Sequence, residues 1–160
     1  MDYTVKQLHE GAINNIPTTG GVYFIKMPTD YVFEVLLESE GRPVTSKGQP
    51  SSYPVKELKQ KIEDVYGPKP PYSNNILYIG KTNHNVGLRE RLIEYLGFRY
   101  SEKTKPHNGG RSIWQLKRNE DFIVEVLPCS KDEDPGDKEH DLLLKYKEQF
   151  GNYPFANRRS

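Results

Sequence analysis

Cysteine is nearly absent: Cys129 stands alone among 160 residues and has no partner for an internal disulfide. That excludes the cross-linked scaffolds of small secreted proteins and makes a reducing, cytoplasmic setting the expectation. No run of about 18 apolar residues occurs, so no membrane-spanning helix is expected. Met1-Asp2-Tyr3-Thr4 lacks a basic segment leading into an apolar one, and no secretory signal is read there. Hydrophobic residues are scarce at 34 %, whereas Gly (13) and Pro (12) are plentiful. A modest sheet-and-helix core with long loops follows, rather than a helical bundle. The length fits one domain over residues 1–160, large enough to bury a core.

A strong charge of either sign is also missing. The net charge of +1 argues against indiscriminate coating of nucleic acid. Its distribution is uneven, however. Between Lys81 and Arg118 nine basic residues face only three acidic ones, Glu90, Glu94 and Glu102. Such a patch can meet a polyanion, although a solvated basic face has the same composition.

What the chain does contain is a series of short β-prone runs. Thr18-Thr19-Gly20-Gly21 signals a turn before a strand at Val22–Met27, and Tyr31–Glu38 reads as a second strand, hairpin-paired with the first. Residues 1–16 read as a lead-in, with a short helix beginning at Val5–Leu8. The Gly-, Pro- and Ser-rich stretch from Glu40 to Tyr53 reads as a loop. Val55, Leu58, Ile62 and Val65 have helical spacing, and Gly67 stands where that helix would stop. Ile76–Gly80 is the next strand and Val86–Leu96 the next helix. A polar, basic loop follows to Gly110, then a short helix over Ser112–Arg118. Phe122–Leu127 is nearly continuous in apolar content and reads as a central strand. The acidic run Asp132–Asp137, with Pro135, lacks the spacing of a calcium loop and reads as a helix start. The final helix runs from Asp137 to Phe150 and ends at Gly151.

Two helices place polar residues where apolar ones are expected. In the last, Leu142, Leu143, Tyr146 and Phe150 form one stripe at 100° per residue, and Glu139 falls in the middle of it while Glu148 falls opposite. An ionised carboxylate facing a core is costly unless a cation or donors meet it, although a first-turn glutamate can also sit exposed and be favoured by the helix dipole. In the helix before, Leu88, Leu92 and Leu96 form the buried stripe, with Arg91 and Tyr95 four apart on its flank. A guanidinium and a phenol so placed can reach one phosphate, although a snorkelling arginine is the commoner case. Arg89, on the other flank, reads as a surface charge or a DNA-backbone contact.

The ordered set Gly21-Val22-Tyr23, Tyr78-Ile79-Gly80-Lys81, Arg91 and Tyr95 in "RERLIEYL", Glu139 in "EHDLLLKYKEQFGNYPFAN" and Asn157 resembles the GIY-YIG endonuclease superfamily over roughly residues 20–157. The resemblance implies an α+β (mixed α/β) fold, with a small, mainly antiparallel sheet of three or more strands flanked by helices. It implies hydrolysis of DNA phosphodiesters with Mg²⁺ or Mn²⁺ held by Glu139. Tyr23 would orient or deprotonate the attacking water, which requires nearby cations or Lys81 to lower its pKa from about 10. Tyr78 would hydrogen-bond in the same site, Arg91 would stabilise charge on the phosphate, and Tyr95 would position it. Asn157 would brace the site through its amide, and Gly80 would allow close approach of backbone and substrate. His107 and Arg111 are weaker candidates for DNA contact, from the loop after the arginine helix. The chain departs from the family in the insertion of residues 30–74 between the two tyrosine motifs.

Three readings remain open on these residues: a DNA endonuclease, a DNA-binding module that keeps the fold without turnover, and a tyrosine-nucleophile phosphotransferase. DNA is the expected partner and a membrane is not. Sequence specificity is left to the insertion, to the loop between Gly97 and Arg111, or to a partner, either another protein or a second copy in a homodimer.

Overall fold

The computed structural model describes residues 1–45, 47–100 and 110–157. Among them four strands, β1 (Asp2–Thr4), β2 (Gly21–Lys26), β3 (Ile76–Thr82) and β4 (Ile123–Pro128), form one sheet in the order β1-β4-β2-β3. Every pairing is antiparallel. Four helices among the described residues flank it: α1 (Val5–His9), α2 (Val55–Tyr66), α3 (Leu88–Tyr100) and α4 (Pro135–Phe150). The fold is α+β, as expected. Among the described residues, no helix is long and apolar enough to cross a membrane.

The apolar runs explain the middle of the sheet. β2 is buried along Gly21–Ile25, and Val124 and Val126 of β4 are buried beside it. Because both β2 and β4 have neighbours on each side, near-continuous apolar content suits them. The two tyrosine strands do pair across the long insertion, with Tyr23 opposite Gly80 and Ile25 opposite Tyr78. Opposed residues share a face, so Tyr23 and Tyr78 project from the same side of the sheet.

Three expectations are corrected. Residues 2–4 are not a lead-in but an edge strand paired with Ile123–Glu125. The segment Tyr31–Glu38 is not a hairpin strand. Both sides of β2 are already occupied by β3 and β4, so no ladder is left for it. It runs extended instead, making a single bridge from Val35 to Leu116 and sending the rings of Tyr31 and Phe33 into the core. The expected helix at Ser112–Arg118 is a single 3₁₀ turn over Arg111–Gln115.

α4 follows the capping chemistry of its sequence. The Asp134 carboxylate accepts from the Gly136 N–H at 3.1 Å, Pro135 opens the first turn, and Gly151 closes the helix in the left-handed region at φ 82°. A cap of this kind contributes about 1 kcal/mol. Leu143 and Tyr146 are buried against the sheet, each worth roughly 1.5–3 kcal/mol of transfer free energy. The tail then returns along the open edge of β3. The Ala156 N–H donates to the Leu77 carbonyl, and the Asn157 side chain both accepts from the Ile79 N–H and donates to its carbonyl, each at 2.9 Å. An edge that could pair with another chain is thereby covered.

Candidate active site

The paired strands bring Tyr23 and Tyr78 together, and α3 adds Tyr95. Ring centroids are 6.0 Å apart for Tyr23–Tyr78 and 6.4 Å for both Tyr23–Tyr95 and Tyr78–Tyr95. The last pair is nearly parallel, and the far side of Tyr95 rests on the buried Trp114 at 4.7 Å. The hydroxyls of Tyr23 and Tyr78 share a hydrogen bond, and that of Tyr95 donates to the Gly110 carbonyl at 3.4 Å.

Gly80 is the residue that makes this packing fit. A Cβ built there would lie 2.5 Å from Cζ and 2.6 Å from the hydroxyl oxygen of Tyr23, and 2.7 Å from the Tyr78 ring. The missing side chain is the space that the Tyr23 ring occupies.

Charged groups act on two of the three rings. Arg91 acts electrostatically on both Tyr23 and Tyr78, and Glu139 acts on Tyr78 from the side of α4. Glu139 is half-buried in its apolar stripe, and loss of water pushes its carboxyl above the ordinary value, opposed by the nearby Lys81 and His140. The exposed Glu148 confirms which side of α4 faces inward. Lys81 itself is exposed. Tyr23, Tyr78, Tyr95, Arg91, Glu139 and Lys81 thus form one neighbourhood, braced from behind by Asn157 on the backbone of Ile79.

The protonation expected of Tyr23 is corrected. Its phenol lies well above its ordinary pKa, first because it is buried and then because Tyr78 disfavours its ionisation, with Arg91 only partly opposing. Tyr78 is pushed up to about 12, again by burial first and by Glu139 second. Burial thus favours the neutral, hydrogen-bonding form of both phenols.

One expected DNA contact, Arg89, is engaged elsewhere. The Arg89 guanidinium donates from Nε to the Ile16 carbonyl and from a terminal nitrogen to the Asn14 carbonyl, both at 2.9 Å, which ties the start of α3 to the segment before β2. The Arg111 guanidinium lies over the Tyr53 ring at 4.7 Å. His107 falls outside the described residues.

Two further neighbours carry little or no signal in the sequence. Glu94 is buried in α3 with its carboxylate 3.6 Å from the Arg91 guanidinium; its i,i+3 spacing from Arg91 is the available signal. His84 accepts from the Gly20 N–H at Nδ1 (3.2 Å), so the proton sits on Nε2 and is donated to the Glu133 carbonyl at 2.9 Å. It joins the start of β2, the exit of β3 and the approach to α4, and no local pattern announces it. Comparison of the chain with family models, with curated proteins and with solved structures finds no match.

Proposed function

We propose that the chain is a divalent-metal-dependent DNA endonuclease of the GIY-YIG type, and that the Tyr23, Tyr78, Arg91 and Glu139 neighbourhood is where one phosphodiester is hydrolysed. The observation that carries this reading is the position of Tyr78, which feels a guanidinium from α3 and a carboxylate from α4 at once. A phosphodiester needs a cationic partner for its oxygens and a donor to orient water, and both are within one neighbourhood here.

The residues fit a hydrated Mg²⁺ or Mn²⁺ completed by substrate. Among the described residues, no group of three His, Cys, Asp or Glu side chains stands ready to hold a metal, but Mg²⁺ commonly uses one or two carboxylates with waters and phosphate oxygens. Glu139 is the protein ligand available, and the penalty its half-buried carboxylate bears is one that a cation would offset. When bound, the ion would polarise the phosphodiester and stabilise the leaving oxygen. Arg91 binds a non-bridging oxygen and Tyr78, with Tyr23 behind it, orients the water. Asn157 keeps Ile79, and with it Tyr78, in place.

One observation favours the alternative of a DNA-binding module without turnover: Tyr23 is 0 % exposed, so its hydroxyl meets no substrate in this arrangement. A cleavage panel separates the readings. With Mg²⁺ or Mn²⁺, the wild-type chain is expected to cut at least one of plasmid, flap, junction and single-stranded DNA, and Glu139→Ala to abolish the cut. DNA left intact with both metals, but bound with an affinity that falls steeply with salt, would leave only the binding module standing.

A further inference from the structure

Beside Arg91, on the side away from the tyrosines' core, lies a hollow of about 570 Å³ between the β3–α3 turn and the exposed flank of α3. Its volume is within the ~300–1,000 Å³ of small-molecule sites. Lys81 and Arg91 stand on it, and so do the carboxylates of Glu90 and Glu94, four residues apart on one helix, and the amides of Asn83 and Asn85. The turn that forms one wall is already built. The Asn83 carboxamide oxygen accepts from the Val86 N–H, the Asn83 carbonyl accepts from the Gly87 N–H, both at 3.0 Å, and Gly87 is pressed against the Thr18 carbonyl at φ 85°.

The charge layout of this hollow is divided. A phosphate is attracted to Lys81 and Arg91 but repelled by Glu90 and Glu94, so no bare polyanion fills it. A bare cation meets the reverse conflict, because the Glu94 carboxylate, with its side chain 7 % exposed, already has the Arg91 guanidinium at 3.6 Å. The occupant that satisfies both ends is anionic at one end and carries N–H donors at the other. A nucleotide with an exocyclic amino group has that polarity, since carboxylates accept from the cytosine 4-amino group, whereas thymine has a carbonyl oxygen there and keeps its one donor, N3–H, between two carbonyl oxygens that repel a carboxylate. Val86, 44 % exposed on the same wall, offers an apolar surface to the sugar or the base.

We propose that this hollow is a nucleotide subsite that seats one unpaired nucleotide next to the phosphate held at Arg91, with an amino-bearing base edge turned to Glu90. The inference rests on Arg91 as a phosphate ligand and sharpens the substrate class to DNA that is single-stranded, or has a base turned out, beside the scissile bond. In a duplex one of the two amino hydrogens is taken by the pairing partner and the base is held in the stack, so the hollow can enclose the base only when it is turned out.

The test is calorimetric binding of deoxycytidine and thymidine 5′-monophosphates and of inorganic phosphate to the full chain in EDTA, where no bond is cleaved. Deoxycytidine monophosphate is expected to bind roughly tenfold more tightly than thymidine monophosphate, and both more tightly than phosphate. In Glu90→Ala, which removes the acceptor at an exposed position where the fold is not at stake, the preference should vanish. Equal binding of the two nucleotides, no binding of either, or a preference that survives Glu90→Ala overturns the subsite. A preference found in a chain that cleaves no DNA would defeat the nuclease reading and leave the subsite intact; Glu139-dependent cleavage without any preference would do the opposite.

Discussion

The chain contains two clusters of buried aromatic rings, and they are built differently. One is Tyr23, Tyr78 and Tyr95 on the β2–β3–α3 side. The other is Tyr31, Phe33, Tyr66 and Tyr72, all within the insertion, with Phe33–Tyr66 at 5.2 Å and Phe33–Tyr72 at 5.0 Å. In the second cluster the hydroxyls are spent on backbone: Tyr31 donates to the Lys117 carbonyl at 2.7 Å, Tyr66 donates to the Ile76 carbonyl at 2.6 Å and accepts from the Phe155 N–H at 3.0 Å, and Tyr72 accepts from the Phe33 N–H at 3.2 Å. In the first cluster two hydroxyls meet each other, with Arg91 and Glu139 in electrostatic range. Facing charge is not by itself the difference, because Tyr31 has Arg118 and Glu34 in electrostatic range and Phe33 and Tyr72 are only partly buried. What differs is that Tyr78 meets a guanidinium from α3 and a carboxylate from α4 without spending its hydroxyl on main chain, and that difference marks the candidate catalytic tyrosine.

Paired substitutions can break this comparison. Arg91→Lys should lower cleavage by about 10²–10³-fold, since an ammonium does not reproduce the guanidinium fork on a phosphate, and leave the urea midpoint close to wild type, because a cation still faces the buried Glu94 carboxylate. Tyr66→Phe should do the reverse, leaving the Ile76 carbonyl and Phe155 N–H without their partner at a cost of about 1–3 kcal/mol in urea denaturation while turnover stays unchanged. If both variants lose activity in proportion to stability, the two clusters are not different in kind.

Gly80→Ala is the intermediate case. The added methyl must displace the Tyr23 ring, and overpacking of this kind costs about 1–3 kcal/mol. It should reduce activity as well, since Tyr23 and Tyr78 move together. A fully stable, fully active Gly80→Ala chain would show that the tyrosine packing tolerates rearrangement.

The smallest effect on stability is expected at Glu139. Its carboxyl is raised in the folded protein, so the native state holds its proton more tightly than the unfolded chain. Native stability therefore declines as pH climbs from the unfolded value of about 4.3 through the folded one. Glu139→Gln removes that loss. The variant should melt slightly higher than wild type at pH 7 without divalent metal, and the gain should disappear below pH ~4. A lower melting temperature at pH 7 would mean that Lys81 and His140 already compensate the carboxylate in full.

The α4 stripe makes Glu139 legible in the sequence alone, because a 3.6-residue period sorts inward from outward positions with no reference to the rest of the chain. The strands at Val22–Met27 and Phe122–Leu127 are legible for a similar reason, being apolar runs bounded by turn residues. Tyr31–Glu38 has the same local signature and does not become a strand. Its composition reports that it is extended and half-apolar, but only competition for the sides of β2 decides whether it enters the sheet. Arg89 shows the same limit for a site. A basic residue two positions before Arg91 reads as a DNA contact until the carbonyls of Asn14 and Ile16, more than 70 positions away, take its donors.

By itself, the order of residues determined the periodicities: which helix faces are apolar, where glycine and proline end an element, and that Tyr23, Tyr78, Arg91, Tyr95, Glu139 and Asn157 occur in one sequence along the chain. Tertiary structure alone decided that the two tyrosine strands lie side by side despite the 30–74 insertion, that Gly80 yields its space to the Tyr23 ring, and that burial raises the phenols instead of cations lowering them. Those outcomes depend on distances between residues far apart in sequence and on the water excluded between them, and neither quantity is a property of any local stretch.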